Sequence, residues 1–131
     1  MIKLSYAGEV EYNNNKFMVL KATFVGTYGT AGVGDLLNLT PSQNNGTDGG
    51  ITDPSLSYDH ILEQPPTLYG VLNEDIGGSY VACHANAVPT LTNLGLIMYE
   101  PGGTEKTTAA VYTAGELAGS VFLLIGIKSL Q

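Results

Sequence analysis

The stretch "VGTYGTAGVGD" places glycines at 26, 29, 32 and 34, and so dense a run raises the question of a phosphate-binding loop. A nucleotide P-loop needs Gly-Lys followed by Ser or Thr, and the chain has no such tripeptide. A dinucleotide fingerprint needs its glycines between a strand and a helix N-terminus, where the helix dipole holds the pyrophosphate. Here "DLLNLT" (35–40) follows, and it reads as a strand. The glycines are therefore expected to make a wide turn or bulge between two strands. Cys83 and His84 are adjacent, so on a strand they point to opposite faces and cannot pair. His60 could reach Cys83 across strands, but no third group is on hand to orient such a dyad. Asn44, Asp48 and Asp53 in "NNGTDGGITD" are oxygen donors of the sort calcium takes. Gly46 sits where a ligand belongs and the closing glutamate is missing, so a solvated polar loop is expected. Glu74–Asp75 lie side by side in a turn, the ordinary setting of solvated carboxylates. No catalytic, cofactor or metal residue is expected, and the chain is not read as an enzyme.

The elements that must carry these residues are short and β-like. "KFMVLKATFV" (16–25) alternates, with Met18, Leu20, Ala22 and Phe24 forming the more uniformly apolar face. Further strands are expected at 35–40, 67–73, 79–85, 93–100 and 120–128, with a weaker candidate at 107–113. "NEDIGGS" (73–79) and "EPGGTEK" (100–106) supply the glycine turns between them. Pro65–Pro66 marks a strand entry, an edge or an extended segment, because proline cannot donate to a ladder. Only "AGELAGS" (114–120) offers a helical turn. The expected fold is all-β, a single-domain sandwich or jelly roll at 17–131 with little or no helix, preceded by an arm or edge segment at 1–16.

Composition narrows the partners. The 131 residues carry a net charge of −7, and the only cations are the lysines at 3, 16, 21, 106 and 128. Scattered lysines on an acidic chain do not make the basic face that displaces counterions from nucleic acid. Charged residues make up 13% of the chain, about half the usual share of ~25%. A weakly charged surface rich in Thr, Asn, Ser and Gly suits contact with other protein. Cys83 is the single cysteine, which leaves no intrachain disulfide, and its small apolar neighbours predict a buried thiol. Polar residues interrupt the N-terminus before a signal peptide's apolar region can form, and "VFLLIGI" (121–127) is too short to span a bilayer. A chain made in a cytoplasm and free of the membrane is expected. The absence of tryptophan weakens a carbohydrate-binding reading, and the eight tyrosines divide between core packing and protein interfaces.

A strand running into "GTYGTAGVGDLLNLT", together with the closing "SVFLLIGIKSLQ", resembles small head proteins of tailed bacteriophages, the capsid cement or decoration proteins. The resemblance covers residues 17–40 and 118–131. It implies a β-rich homotrimer on the capsid exterior at three-fold or quasi-three-fold positions. There it would bridge capsomers of the major capsid protein, without contact to nucleic acid or membrane. Tyr28, Gly29, Gly32, Tyr69 and Tyr99 are the expected interface residues, with Tyr28 at the lip of an exposed glycine turn. A tail or adaptor β-protein and a small carbohydrate- or ligand-binding sandwich remain as alternatives.

Overall fold

The computed structural model describes residues 2–39, 62–63, 65–85 and 89–127. Seven strands and one short helix follow in chain order. These are β1 (Ile2–Tyr12), β2 (Asn15–Phe24), β3 (Asp35–Leu36), β4 (Leu68–Glu74), β5 (Tyr80–Ala85), β6 (Leu94–Tyr99), α1 (Ala114–Ala118) and β7 (Ser120–Gly126). They form a four-stranded sheet in the order β1-β2-β7-β4 and a three-stranded sheet in the order β3-β6-β5. Every strand pair is antiparallel. The fold is all-β, as the two-residue periodicity predicts. No described helix is long and apolar enough to cross a membrane.

Strand periodicity decides which residues enter the core. Met18, Leu20, Ala22 and Phe24 of β2 are buried, and their cross-strand partners Ile125, Leu123 and Val121 of β7 are equally inaccessible. The core cluster continues across to Leu94, Leu96 and Met98 of β6 and Val81 of β5, so the apolar layer lies between the two sheets. Residues 2–12, anticipated as an arm or edge segment, are the edge strand β1 of the larger sheet. Ile2 and Leu4 are fully buried on the core side, opposite Phe24 and Ala22. A polar-looking N-terminus thus contributes two anchors to the core. β1 turns into β2 through Asn13 and Asn14, with φ of 52° and 65°. Positive φ at both central residues is the primed turn that matches strand twist, and asparagine tolerates it better than most residues.

The strand expected at 35–40 is shorter than its sequence implies. Only Asp35–Leu36 pair as a ladder with β6, while Leu37 and Leu39 donate backbone bonds to Leu94 (2.7 Å) and Leu91 (2.7 Å). The weak candidate at 107–113 is a turn with one bridge, Val111 to Thr27. α1 is a single helical turn closed by a capping box: Thr113 Oγ1 accepts from the Glu116 amide, and the Glu116 side chain accepts from the Thr113 amide. The candidate cation loop 44–53 and His60 lie outside the described residues.

Candidate functional site

The glycine-rich stretch is held against the rest of its own chain. Tyr28 is 2% exposed, which corrects the expectation that it stands at the lip of an exposed turn. Its amide donates to the Ala110 carbonyl (2.8 Å), and its hydroxyl donates to Glu105 Oε1 (2.9 Å). Burial, reinforced by the Glu105 carboxylate, pushes the phenol pKa well above its ordinary value. Glu105 Oε1 also accepts from the Gly32 amide (2.7 Å), and Thr108 Oγ1 accepts from the Ala31 amide (2.8 Å). The glycines serve this docking by close approach. A Cβ on Gly34 would overlap the Leu96 carbonyl, one on Gly29 the Gly34 carbonyl, and one on Gly95 the Val33 carbonyl. The loop therefore lies against β6 at backbone contact distance, which only a bare Cα permits.

Beneath that clasp sits a polar cluster within the protein. Lys106, 3% exposed, donates to Glu100 Oε1 (2.8 Å) and lies 3.1 Å from Glu116 Oε2, whose side chain is 1% exposed. Ser79 Oγ donates to Glu116 (3.3 Å), and the Lys106 ammonium stands 5.5 Å from the centre of the Tyr112 ring. The Tyr112 hydroxyl donates to Asp35, whose pKa burial raises. Burial by itself would raise the Glu116 pKa, but the Thr113 amide and Lys106 hold it below the usual carboxylate range. Burial opposes the charge on Lys106, and the two glutamates outweigh it and raise its pKa. Each charge in this cluster has a partner, and the bonds tie segment 100–116 to Ser79, just before β5, to Asp35 of β3 and, through Glu105, to the glycine loop. The cluster orders the structure and has no nucleophile poised beside a free base.

The other anticipated contacts are dispersed. Tyr99 ends β6 and stacks on Tyr80 with ring centroids 4.9 Å apart, on the three-stranded sheet. Tyr69 is 53% exposed on the four-stranded sheet, where its ring meets Phe17 edge-on at 5.0 Å. The five expected interface residues therefore do not share one surface. Cys83, expected buried, is exposed on edge strand β5. Its row faces the core, but the sheet ends there; the surrounding protein still raises the thiol pKa by desolvation. No group of metal-ligating side chains occurs among the described residues.

What the expected list misses is the outer face of the four-stranded sheet. Residues alternating with the core positions pair across it as Gly8–Val19–Leu124–Gly70, Val10–Phe17–Gly126, and Lys21–Phe122–Leu72. A groove of ≈ 440 Å³ runs between Val10, Val19, Leu72, Phe122 and Leu124. Leu72 is 58% exposed and Val10 45%, while Val19, Phe122 and Leu124 are half-buried by one another. Lys21, Lys3 and Glu74 stand at one end of this face. The signal was present in the sequence: "VFLLIGI" is apolar at successive positions, so a strand carrying it has two apolar faces, and the core can take only one. No family model matches the chain, and no curated protein or solved structure matches it either.

Proposed function

We propose that the protein is a structural virion subunit, a capsid cement or decoration protein that docks on the outer capsid surface through the outer face of its four-stranded sheet. The observation that carries this reading is the apolar row formed by Val10, Val19, Leu124, Phe122 and Leu72 on a face with no core role. Apolar surface gathered in one patch, with charge confined to its margin, is the usual mark of a protein-binding site. The partner that fits is a capsid protein presenting an apolar strip with charges of both signs beside it, to meet Lys3, Lys21 and Glu74. The low charge content and the resemblance to phage head proteins support the same reading. As a homotrimer the protein would present three such faces, so each contact need only be modest for the whole to hold firmly.

The test is co-sedimentation with DNA-free shells of a major capsid protein taken from the genome that carries this chain. Light scattering of the free protein and of the L72D/V10D variant accompanies it. Both positions are exposed, so the variant is expected to keep its melting temperature and lose shell binding by more than tenfold. A wild-type chain that does not pellet with shells, or a variant that binds as well as wild type, would sink the reading.

A further inference from the structure

A second concave site lies where the β1–β2 hairpin meets the end of β7. It is a cleft of ≈ 260 Å³ lined by Asn14, Asn15, Lys16, Phe17, Glu63 and Tyr69. The framework that shapes it is backbone: Glu63 donates to the Gly126 carbonyl (3.0 Å), Gly126 to Thr67 (3.2 Å) and Ile127 to Lys16 (3.0 Å). Gly126 is what admits the cleft's two main polar groups. A Cβ there would stand 2.5 Å from Glu63 Cδ and 2.6 Å from Tyr69 Cε2, closer than atoms can pack. The Tyr69 hydroxyl donates to both Glu63 oxygens (3.0 and 3.2 Å), which fixes the carboxylate and leaves the phenol oxygen free to accept. Asn15 Nδ2 donates to the Asn13 carbonyl (3.3 Å), leaving its own amide oxygen for a ligand.

We propose that this cleft binds a neutral polyhydroxylated ligand, a single saccharide ring. Its volume lies just below the ~300 Å³ at which drug-sized sites begin, which suits one ring rather than an extended chain. Among the described lining residues Glu63 and Lys16 carry opposite charges that sum to zero, which favours a neutral ligand over an ion of either sign. A carboxylate and two carboxamides supply acceptors, while the ammonium and the amides supply donors. Vicinal hydroxyls, each a donor and an acceptor, match that mixture. The Phe17–Tyr69 pair adds an aromatic wall for the apolar face of a ring. This inference is independent of capsid docking: Leu72 takes no part in the cleft, whereas Val10 lies opposite Phe17, so Leu72→Asp is the variant that separates the two sites.

The experiment is saturation-transfer NMR on the full chain with millimolar methyl glucoside, methyl galactoside and methyl N-acetylglucosaminide, and with glycine betaine as a zwitterionic probe. Transfer to at least one glycoside is expected, with affinity falling at least tenfold in Glu63→Gln and unchanged in Leu72→Asp. Tyr69→Phe keeps the ring and frees the carboxylate, so it serves as the second variant should Glu63→Gln fold poorly; it is expected to weaken binding several-fold. Absence of transfer to every glycoside overturns the proposal. So does transfer to betaine alone, or glycoside binding that Glu63→Gln and Tyr69→Phe leave intact.

Discussion

Removing the Lys106 ammonium tests how the buried polar cluster holds the fold. Lys106 is 3% exposed and faces two carboxylates at 2.8 and 3.1 Å, one of them on a side chain only 1% exposed. In Lys106→Met the aliphatic stem is retained, so the core loses little packing. Glu116 is left as a buried anion without its cationic partner, held by the Thr113 amide and the Ser79 hydroxyl. Breaking a buried pair from one side costs about 3–5 kcal/mol. For a domain of this size roughly 4 °C of melting temperature follows each kcal/mol, so a fall of roughly 12–20 °C is expected. The double variant Lys106→Met with Glu116→Gln removes both charges and keeps the amide oxygen that caps α1. It is expected to recover at least half of the loss, because the penalty lies in the orphaned charge. Urea unfolding followed by circular dichroism at pH 7 gives all three stabilities. A single variant costing under about 1 kcal/mol would refute the reasoning, as would a double variant no more stable than the single one. The pH dependence carries the opposite sign for each partner. Glu116 has a lowered pKa in the folded state, so its contribution is present above the ordinary carboxylate range and is lost as pH falls through the folded value. Lys106 has a raised pKa, so its contribution is present below the ordinary lysine value and is lost as pH rises through the folded one. Wild type should therefore weaken at both extremes, and the double variant should weaken less at each.

Two glycines of one loop should separate by cost. Gly32→Ala keeps open space around the new Cβ and is expected to lose about 1 kcal/mol from its φ of 82°. Gly34→Ala adds an overlap with the Leu96 carbonyl to a φ of 83°, and urea midpoints should show at least twice that loss; equal midpoints would mean the loop does not sit on β6. Tyr28→Phe removes the hydroxyl that donates to Glu105, and a fall of about 1–2 kcal/mol is expected, since bonds to charged groups exceed neutral ones. The buried phenol makes no outward contact, so in the proposed capsid docking Tyr28→Phe should match wild type at temperatures where both are folded.

Much of the fold was legible because β-strands write their burial at a spacing of two. Met18, Leu20, Ala22 and Phe24 could be assigned to the core before any coordinate was known, and all four are buried. The glycine turns at 73–79 and 100–106 were equally plain, and Gly77, Gly78, Gly102 and Gly103 all take positive φ. β1 was obscured because it is an edge strand, polar along much of its length, with only Ile2 and Leu4 fully buried.

Local chemistry alone argued against a P-loop, since no Gly-Lys-Ser or Gly-Lys-Thr follows the glycines. What those glycines do was decided by tertiary structure. Positive φ and a missing Cβ serve an exposed turn and a buried clasp equally, and only the position of β6 beneath the loop distinguishes them. Tyr28 moved from surface to interior for the same reason: its partner Glu105 is 77 residues away in the chain. The apolar sheet face and the polar cleft are likewise tertiary. Val19, Leu124 and Gly70 become neighbours only through antiparallel pairing, and Glu63 meets Tyr69 only because Gly126 leaves room for both. Periodicity records which side of a strand faces inward. It holds no record of which strands are adjacent, and adjacency is what assembles a site.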